Sequence, residues 1–363
     1  MKAQVNPNFW SGKRVFVTGH TGFKGSWLCL WLQSMGVQVK GYSLEPPTTP
    51  ALFNEANVAE EMESEIGDIR DLSSVTKSMK SFNPDILIHM AAQPLVRLSY
   101  TNPVETYSTN VMGTVHVLEA ARQCKNLKAI VNVTTDKCYE NQEWDWGYRE
   151  DEPMGGHDPY SNSKGCVELV TSAYRKSFFT SGSINIASAR AGNVIGGGDW
   201  ALDRLIPDAL SAFEKNKPVV IRSPKAIRPW QHVLEPLSGY LILAESLFNN
   251  KIKCDEAWNF GPKDDDARPV EWILNEMTRL WGKAVSWQVD NNPQLHEANY
   301  LKLDISKAKN KLQWQPTWNL GHTLERIIVW QQNWLAGADS KKNCLDEIGS
   351  YVNNMNEIED TGT

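Results

Sequence analysis

The sequence predicts an α/β fold built on a doubly wound parallel sheet, with a smaller mixed α/β lobe in its second half. Two observations carry this. Continuous apolar runs alternate with helix-like segments through the first half, among them residues 14–19 (RVFVTG), 85–92 (DILIHMAA) and 129–135 (AIVNVTT). The first of these runs ends in a glycine-rich turn that opens a helix. Strands apolar at every position are buried on both faces, which calls for helices on both sides of a parallel sheet.

The elements follow in order. Residues 14–19 read as the first strand, and residues 24–35 as a helix with Trp27, Leu28, Leu30, Trp31 and Met35 on a broad apolar surface. Residues 38–44 form a second strand and residues 65–69 a short third one. Helical stretches at 73–82, 104–124 and 160–179 surround the strands at 85–92 and 129–135. After about residue 190 the rhythm loosens around Gly196-Gly197-Gly198. Short strands at 219–222 and 257–260 then mix with helices at 236–248 and 270–280. The expected division is a first domain at 1–190, to which later segments return, and a second lobe at 191–335. Residues 336–363 are polar and rich in Asn, Asp and Glu, and are expected to be a partly disordered appendage.

Composition narrows the function. The 363 residues suffice for a sizeable core, with 41% hydrophobic and 22% charged residues as in soluble globular proteins. Lys+Arg is 37 and Asp+Glu is 43, a formal charge of −6, so there is no bulk basic field for nucleic acid or an acidic membrane. No apolar run approaches a membrane span, and the first ten residues lack the apolar block of a signal peptide. A cytoplasmic protein is expected. The six cysteines form no CxxC pair and read as reduced thiols. Most of the 15 tryptophans are expected to be packing residues.

The segment Thr18-Gly19-His20-Thr21-Gly22-Phe23-Lys24-Gly25 reads G-x-x-G-x-x-G between a strand and a helix. Gly19 permits a tight turn, Gly22 lets backbone approach a pyrophosphate, and Gly25 lets helix pack on strand. The helix N-terminus then offers N–H groups and partial positive charge to phosphates. A Rossmann-type dinucleotide site is expected here; a merely structural turn is the alternative. His20 and Lys24 can add positive charge, although Lys24 can equally be a solvated first-turn lysine. The fingerprint also wants an acid about 20 residues on. Glu45 stands there, between a ribose role and a plain loop role. No Arg follows the second strand directly, which favours NAD over NADP. At the end of the third strand, Asp68 can accept from the adenine amino group and Ile69 can pack on the ring.

Tyr160-Ser161-Asn162-Ser163-Lys164 is YxxxK at a helix start, and spacing i, i+4 puts both side chains on one face. A nearby ammonium and a nicotinamide cation favour phenolate, making Tyr160 a usable base for a sugar hydroxyl. Thr134, Thr135, Asp136 and Lys137 lie at the end of the 129–135 strand, where ligands of doubly wound sheets sit. Thr135 can hydrogen-bond the reacting hydroxyl. Asp136 and Lys137 form an ionisable pair there, with a local surface ion pair as the alternative reading. His20 has no ligand partners, so no metal site is expected.

Together TGHTGFKG, MAAQ (Met90 to Gln93), TTDK and YSNSK resemble the extended short-chain dehydrogenase/reductase family over roughly residues 9–335. The stretches FWSGKRVFVTGHTGFKGSWL, RAGNVIGGGDW, RPWQHVLEP and HEANYLKLD narrow the likeness to nucleotide-sugar 4,6-dehydratases of the CDP-sugar branch. The resemblance implies NAD in the first domain and CDP-glucose in the second lobe. It implies oxidation at C4, loss of water across C5–C6, and return of hydride to C6 in deoxysugar (O-antigen type) biosynthesis. By resemblance Ala91, Gln93 and Thr134 line the cofactor, and Asn110 holds the fold. Related dTDP-glucose dehydratases read Thr-Asp-Glu where this chain reads Thr135-Asp136-Lys137. The likeness assigns Asp136 as acid at O6 and Lys137 as base at C5. Lys137 must then be neutral and Asp136 protonated, which one proton shared within the pair reconciles. Arg228 and Asn193 are the leading substrate ligands, followed by Arg204 and Arg222, because Arg forks match phosphate geometry. His296 and Tyr300 can border the sugar nucleotide or simply pack.

Other readings stay open. A nucleotide-sugar 4-epimerase needs the same Tyr, Lys and Thr. Another base is compatible with the same chemistry, and an NAD-binding sensor with the same fold. Family members pair through two helices per subunit, here 104–124 and 160–179, so a homodimer or homotetramer is expected.

Overall fold

Six parallel strands from the first half form most of the central sheet: β1 Arg14–Thr18, β2 Gln38–Ser43, β3 Glu63–Ile66, β4 Ile86–His89, β5 Ala129–Val133 and β6 Asn185–Ala191. The computed structural model describes residues 2–180, 184–250, 253–282, 285–290 and 300–357. Strand Ala257–Phe260 returns from the second half and pairs parallel to β6. The order is Ala257–Phe260, β6, β5, β4, β1, β2, β3. Connections run outward in both directions from the β1–β4 pair, which makes a topological switch point at the C-terminal ends of these strands.

Period-two alternation splits the sheet between two cores. Val15 and Val17 pack into one, together with Trp27, Leu28, Trp31 and Leu32 of helix Phe23–Ser34. Phe16, Leu87 and Ile130 face the other, under helices Leu72–Phe82 and Gly113–Ala121. β4 and β5 are buried at every position, in keeping with sequences that are apolar apart from His89 and Asn132.

Some boundaries move for physical reasons. The third strand ends at Ile66, not 69. Gly67 there crosses the Tyr42 ring so closely that a Cβ would sit 2.4 Å from it, and the chain turns away. The expected helix 104–124 runs as Pro103–Tyr107, a π turn at Ser108–Met112, and Gly113–Ala121. Helix Pro159–Ser177 starts with Asp158 accepting from Ser161 N–H and Pro159 in the first turn.

The second half contributes short ladders. Val194–Ile195 pairs with Gln231–His232, Val219–Ile221 with Trp287–Val289, and Ile227–Pro229 with Ala267–Pro269. A separate apolar cluster of Ile206, Phe213, Trp230, Ile273, Met277 and Leu324 holds this region.

The expected partly disordered appendage is instead a docked helix, Ser340–Glu357. Cys344, Ile348, Tyr351 and Met355 recur every three or four residues and enter the core around Trp31. The polar composition hid a narrow apolar stripe. Glu347 Oε1 lies 2.9 Å from His232 Nε2, and Tyr351 donates to Glu235 Oε2 at 2.7 Å, all buried. Trp10, Trp27, Trp31, Trp258, Trp314 and Trp330 are fully buried, and all six cysteines are free thiols. No helix among the described residues is long and apolar enough to cross a membrane.

Candidate active site

Gly19 ends β1 in the left-handed region, φ 79°. A Cβ there would come 2.8 Å from Ala91 N. Thr18 Oγ1 accepts from the Met90 and Ala91 N–H groups at 3.1 and 3.2 Å, so Ala91 borders the loop. At Gly25 a Cβ would lie 2.0 Å from Gly19 O, so glycine is needed to seat the helix. Gly22 is different: a Cβ there would meet only Gly19 O, at 3.5 Å. No side chain caps this N-terminus, which leaves its N–H groups for an anion. The loop therefore fits a dinucleotide pyrophosphate at Gly22, Phe23 and Lys24. The Phe23 ring also reaches the Gly196 loop, and Trp27 donates to Gly197 O at 3.0 Å.

The expectation for His20 is corrected. Its ring is buried under Gly41, 2.8 Å from Ser64 Oγ and edge-on to Phe53. Burial holds its pKa down to about 4, so it adds no positive charge. Lys24 is pushed down to about 8 by burial and by the charges of Lys164 and Arg204, with Asp136 opposing. Its side chain is half-buried.

At the adenosine end, Asp68 lies beyond β3 and is clasped by Arg70, Nε at 2.8 Å and Nη2 at 2.6 Å from Oδ2. The Arg70 hydrogen bonds hold its carboxyl below the usual range. Ile69 is turned into the core against Gly113 and offers a ring little surface. Glu45 is exposed in the loop after β2. Gln93 spends its side chain on Thr106 and Leu95. Asn110 ties Gln93 to Ser163, a structural role.

The catalytic cluster forms where β5 ends. Thr135 Oγ1 donates to Asp136 Oδ1 at 2.9 Å. Asp136 is 2% exposed, and its Oδ2 has no hydrogen-bond partner among the described residues. Burial pushes the Asp136 carboxyl up, against the positive charges of Lys137 and Arg228. Lys137 is half-buried on the turn Asp136–Cys138. Across from them, Lys164 Nζ donates to Val133 O at 3.5 Å, and burial pulls its pKa to about 8 with Glu168 opposing. For the chain alone, burial raises the Tyr160 phenol to about 12 against the pull of the Thr135 hydroxyl and of Arg204.

Arg228 on strand Ile227–Pro229 and Arg204 before helix Leu205–Glu214 thus bring charge to this cluster. Arg204 also donates to Asp199 Oδ2 at 3.1 Å. Asn193 is half-buried just past β6, its carbonyl accepting from Gln231 N–H. The charge of Arg222 opposes the burial that raises the Asp208 carboxyl. Tyr300 donates to Asp145 O at 3.2 Å and bridges to Ile227. His296 lies outside the described residues.

The structure adds Glu168, one turn beyond Lys164. It accepts from Thr134 Oγ1 at 2.5 Å, Ser188 Oγ at 2.6 Å and Arg190 Nη2 at 2.8 Å. Thr134's hydroxyl is therefore spent on Glu168, not on a cofactor. The signal was present as helical spacing: Tyr160, Lys164 and Glu168 fall at i, i+4 and i+8. No group of three or more His, Cys, Asp or Glu suited to a metal occurs among the described residues.

The sequence profile of the family described as GDP-mannose 4,6 dehydratase matches residues 16–327. The chain is similar to the CDP-glucose 4,6-dehydratase of Salmonella typhimurium, 59% identical over 96% of this chain and 98% of that one. It shares its fold with a Bacillus anthracis dTDP-glucose 4,6-dehydratase solved in complex with NAD (TM-score 0.74, 21% identity, 89% and 97% of the two chains). It also shares it with a Thermotoga maritima UDP-glucose 4-epimerase solved with UDP-glucose (TM-score 0.77, 19% identity, 89% and 99%). Dehydratase and epimerase are thus alike in fold, and the profile and the 59% identity place the chain on the dehydratase side. The chain belongs to the GDP-mannose 4,6 dehydratase family of the extended short-chain dehydrogenase/reductases.

Proposed function

We propose that the protein is a hydro-lyase that converts CDP-D-glucose to CDP-4-keto-6-deoxy-D-glucose and water. The observation that carries this is the buried Asp136 beside Thr135, next to the Tyr160–Lys164 pair. An epimerase needs a base at O4 and nothing more. A buried carboxyl whose protonated form is favoured is what departure of a hydroxyl from C6 requires. The cytidine base rests on the Salmonella relative.

Gly19, Gly22, Phe23, Lys24 and Gly25, with Ala91 alongside, would hold NAD, which would supply the hydride acceptor for C4 and the donor for C6. Thr135 holds the 4-hydroxyl and Tyr160 takes its proton. The Lys164 ammonium favours the Tyr160 phenolate that accepts this proton, and the transfer leaves Tyr160 as the neutral phenol. The 4-ketone acidifies the C5 proton, which Lys137 removes. Asp136 gives its proton to O6 as the C6–O bond breaks and water leaves. Lys137 then returns a proton to C5 as C6 is reduced. Arg228, with Arg204 and Asn193, holds the substrate near its diphosphate.

The remaining readings follow from this. The setting is cytoplasmic deoxysugar biosynthesis. Homodimers or homotetramers form through helices Pro103–Tyr107, Gly113–Ala121 and Pro159–Ser177, which leave Val104 and Leu169 exposed.

The test is to mix the purified protein with NAD and CDP-, UDP-, dTDP- or GDP-glucose and follow product mass. Loss of one water from CDP-glucose alone supports the proposal. Loss from another nucleotide sugar overturns the base, and a C4 epimer without loss of mass overturns the reaction.

A further inference from the structure

We infer that Glu168 is a positioning residue that fixes the oxidising pair, Tyr160 and Lys164, against the eliminating pair, Asp136 and Lys137; this rests on the dehydration proposed above. The two pairs stand on different elements. Tyr160 and Lys164 belong to helix Pro159–Ser177. Asp136 and Lys137 follow β5 on a turn with no strand of its own.

Glu168 joins the two. It lies on the same helix face as Tyr160 and Lys164, and it receives Thr134 Oγ1 from the residue between β5 and that turn. Thr134 N–H also donates to Ala189 O at 2.9 Å, so this residue is held to β6 as well. From β6 come Ser188 and Arg190, both on Oε2. Arg190 continues through Nη1 to Tyr139 Oη at 2.7 Å, on the far side of the turn. Tyr139 in turn donates to Asn259 Oδ1 at 2.7 Å. The Asp136–Lys137 turn is therefore gripped at both ends, at Thr134 and at Tyr139, by one buried ion pair. Glu168 and Arg190 side chains are 5% and 4% exposed.

The chemistry makes this register matter unevenly. Oxidation at C4 uses Tyr160, Lys164 and Thr135. Elimination also needs Asp136 at O6 and Lys137 at C5 while the ketone is still held. A loosened turn spoils the second step before the first, because misplacement of about 1 Å can cost on the order of a hundredfold in rate.

The test uses Thr134→Val, which removes the hydroxyl bound to Glu168 and keeps the residue's shape, and Thr134→Ser, which keeps the hydroxyl. Glu168→Gln, which removes the charge, is a third variant. With full-length enzyme, NAD and CDP-glucose, the readouts are kcat and KM for water loss and the absorbance of reduced nicotinamide during turnover. Thr134→Val is expected to lose about tenfold or more in kcat with KM near wild type, and to accumulate reduced nicotinamide. Thr134→Ser is expected to restore both, and Glu168→Gln, where folded, to exceed Thr134→Val. Oxidation and water loss falling together, a wild-type Thr134→Val, or failure of serine to restore it overturns the inference. Wild-type enzyme that removes no water from CDP-glucose overturns the underlying reading, and the inference with it.

Discussion

The Thr135 hydroxyl donates to Asp136 Oδ1 at 2.9 Å and also lies within reach of the Tyr160 phenol, whose pKa it pulls down. One residue thus touches the base for oxidation and the acid for elimination. Asp136→Asn keeps the size and removes the transferable proton. It is expected to leave C4 oxidation in place while water loss drops by roughly 10²–10⁴. Product mass and reduced-nicotinamide absorbance on the same sample check this.

The rate of dehydration should fall on the alkaline side. Burial raises the Asp136 carboxyl, so its acid form persists to higher pH than an ordinary aspartate and is lost as pH rises through that raised value. Burial lowers Lys164 to about 8, so its ammonium is lost just above that pH. Single-turnover water loss should therefore decline above about pH 8. A profile flat to pH 10 contradicts both assignments.

The glycines of the loop should separate binding from folding. Gly22→Ala places a methyl at ordinary contact distance with ordinary dihedrals, φ −79° and ψ 168°. It is expected to change stability by less than about 0.5 kcal/mol and to weaken NAD binding. Gly25→Ala drives a methyl into Gly19 O and is expected to lower both. Urea melts and NAD titration by calorimetry distinguish the two.

Acid should destabilise the fold through two histidines. Burial lowers His20 from 6.5 to about 4 and His89 to about 3. Both are neutral in the folded chain and take up a proton on unfolding below pH 6.5. Their contribution is complete above pH 6.5 and is lost as pH falls toward 4, on the order of 3 kcal/mol for His20. Unfolding midpoints at pH 7 and pH 5 check this, and His20→Phe should flatten the difference.

The last helix should be integral to the fold. Glu347→Ala removes the buried partner of His232 and of Arg326, 3.6 Å away. Breaking such a pair costs roughly 3–5 kcal/mol, which a denaturant melt would register.

The sheet was legible because β1, β4 and β5 are mostly apolar runs without alternation, which a parallel sheet covered by helices on both sides buries. Tyr160, Lys164, Thr135 and Asp136 were legible because helix spacing and strand ends place them without knowledge of distant contacts. His20 was misjudged because its fate depends on Gly41 and Ser64 of neighbouring strands. Glu168 stayed hidden because its partners come from two segments remote from its helix in sequence, Thr134 after β5 and Ser188 and Arg190 on β6. The tail misled because its stripe of Cys344, Ile348, Tyr351 and Met355 is a minority of its residues.

The most direct measurement follows one hydrogen. CDP-glucose carrying deuterium at C4 is turned over with NAD, and the product is examined by NMR. The account predicts deuterium at C6 of a 4-keto-6-deoxy sugar, with solvent hydrogen at C5. Deuterium still at C4, on a sugar that has kept its C6 hydroxyl, would contradict it.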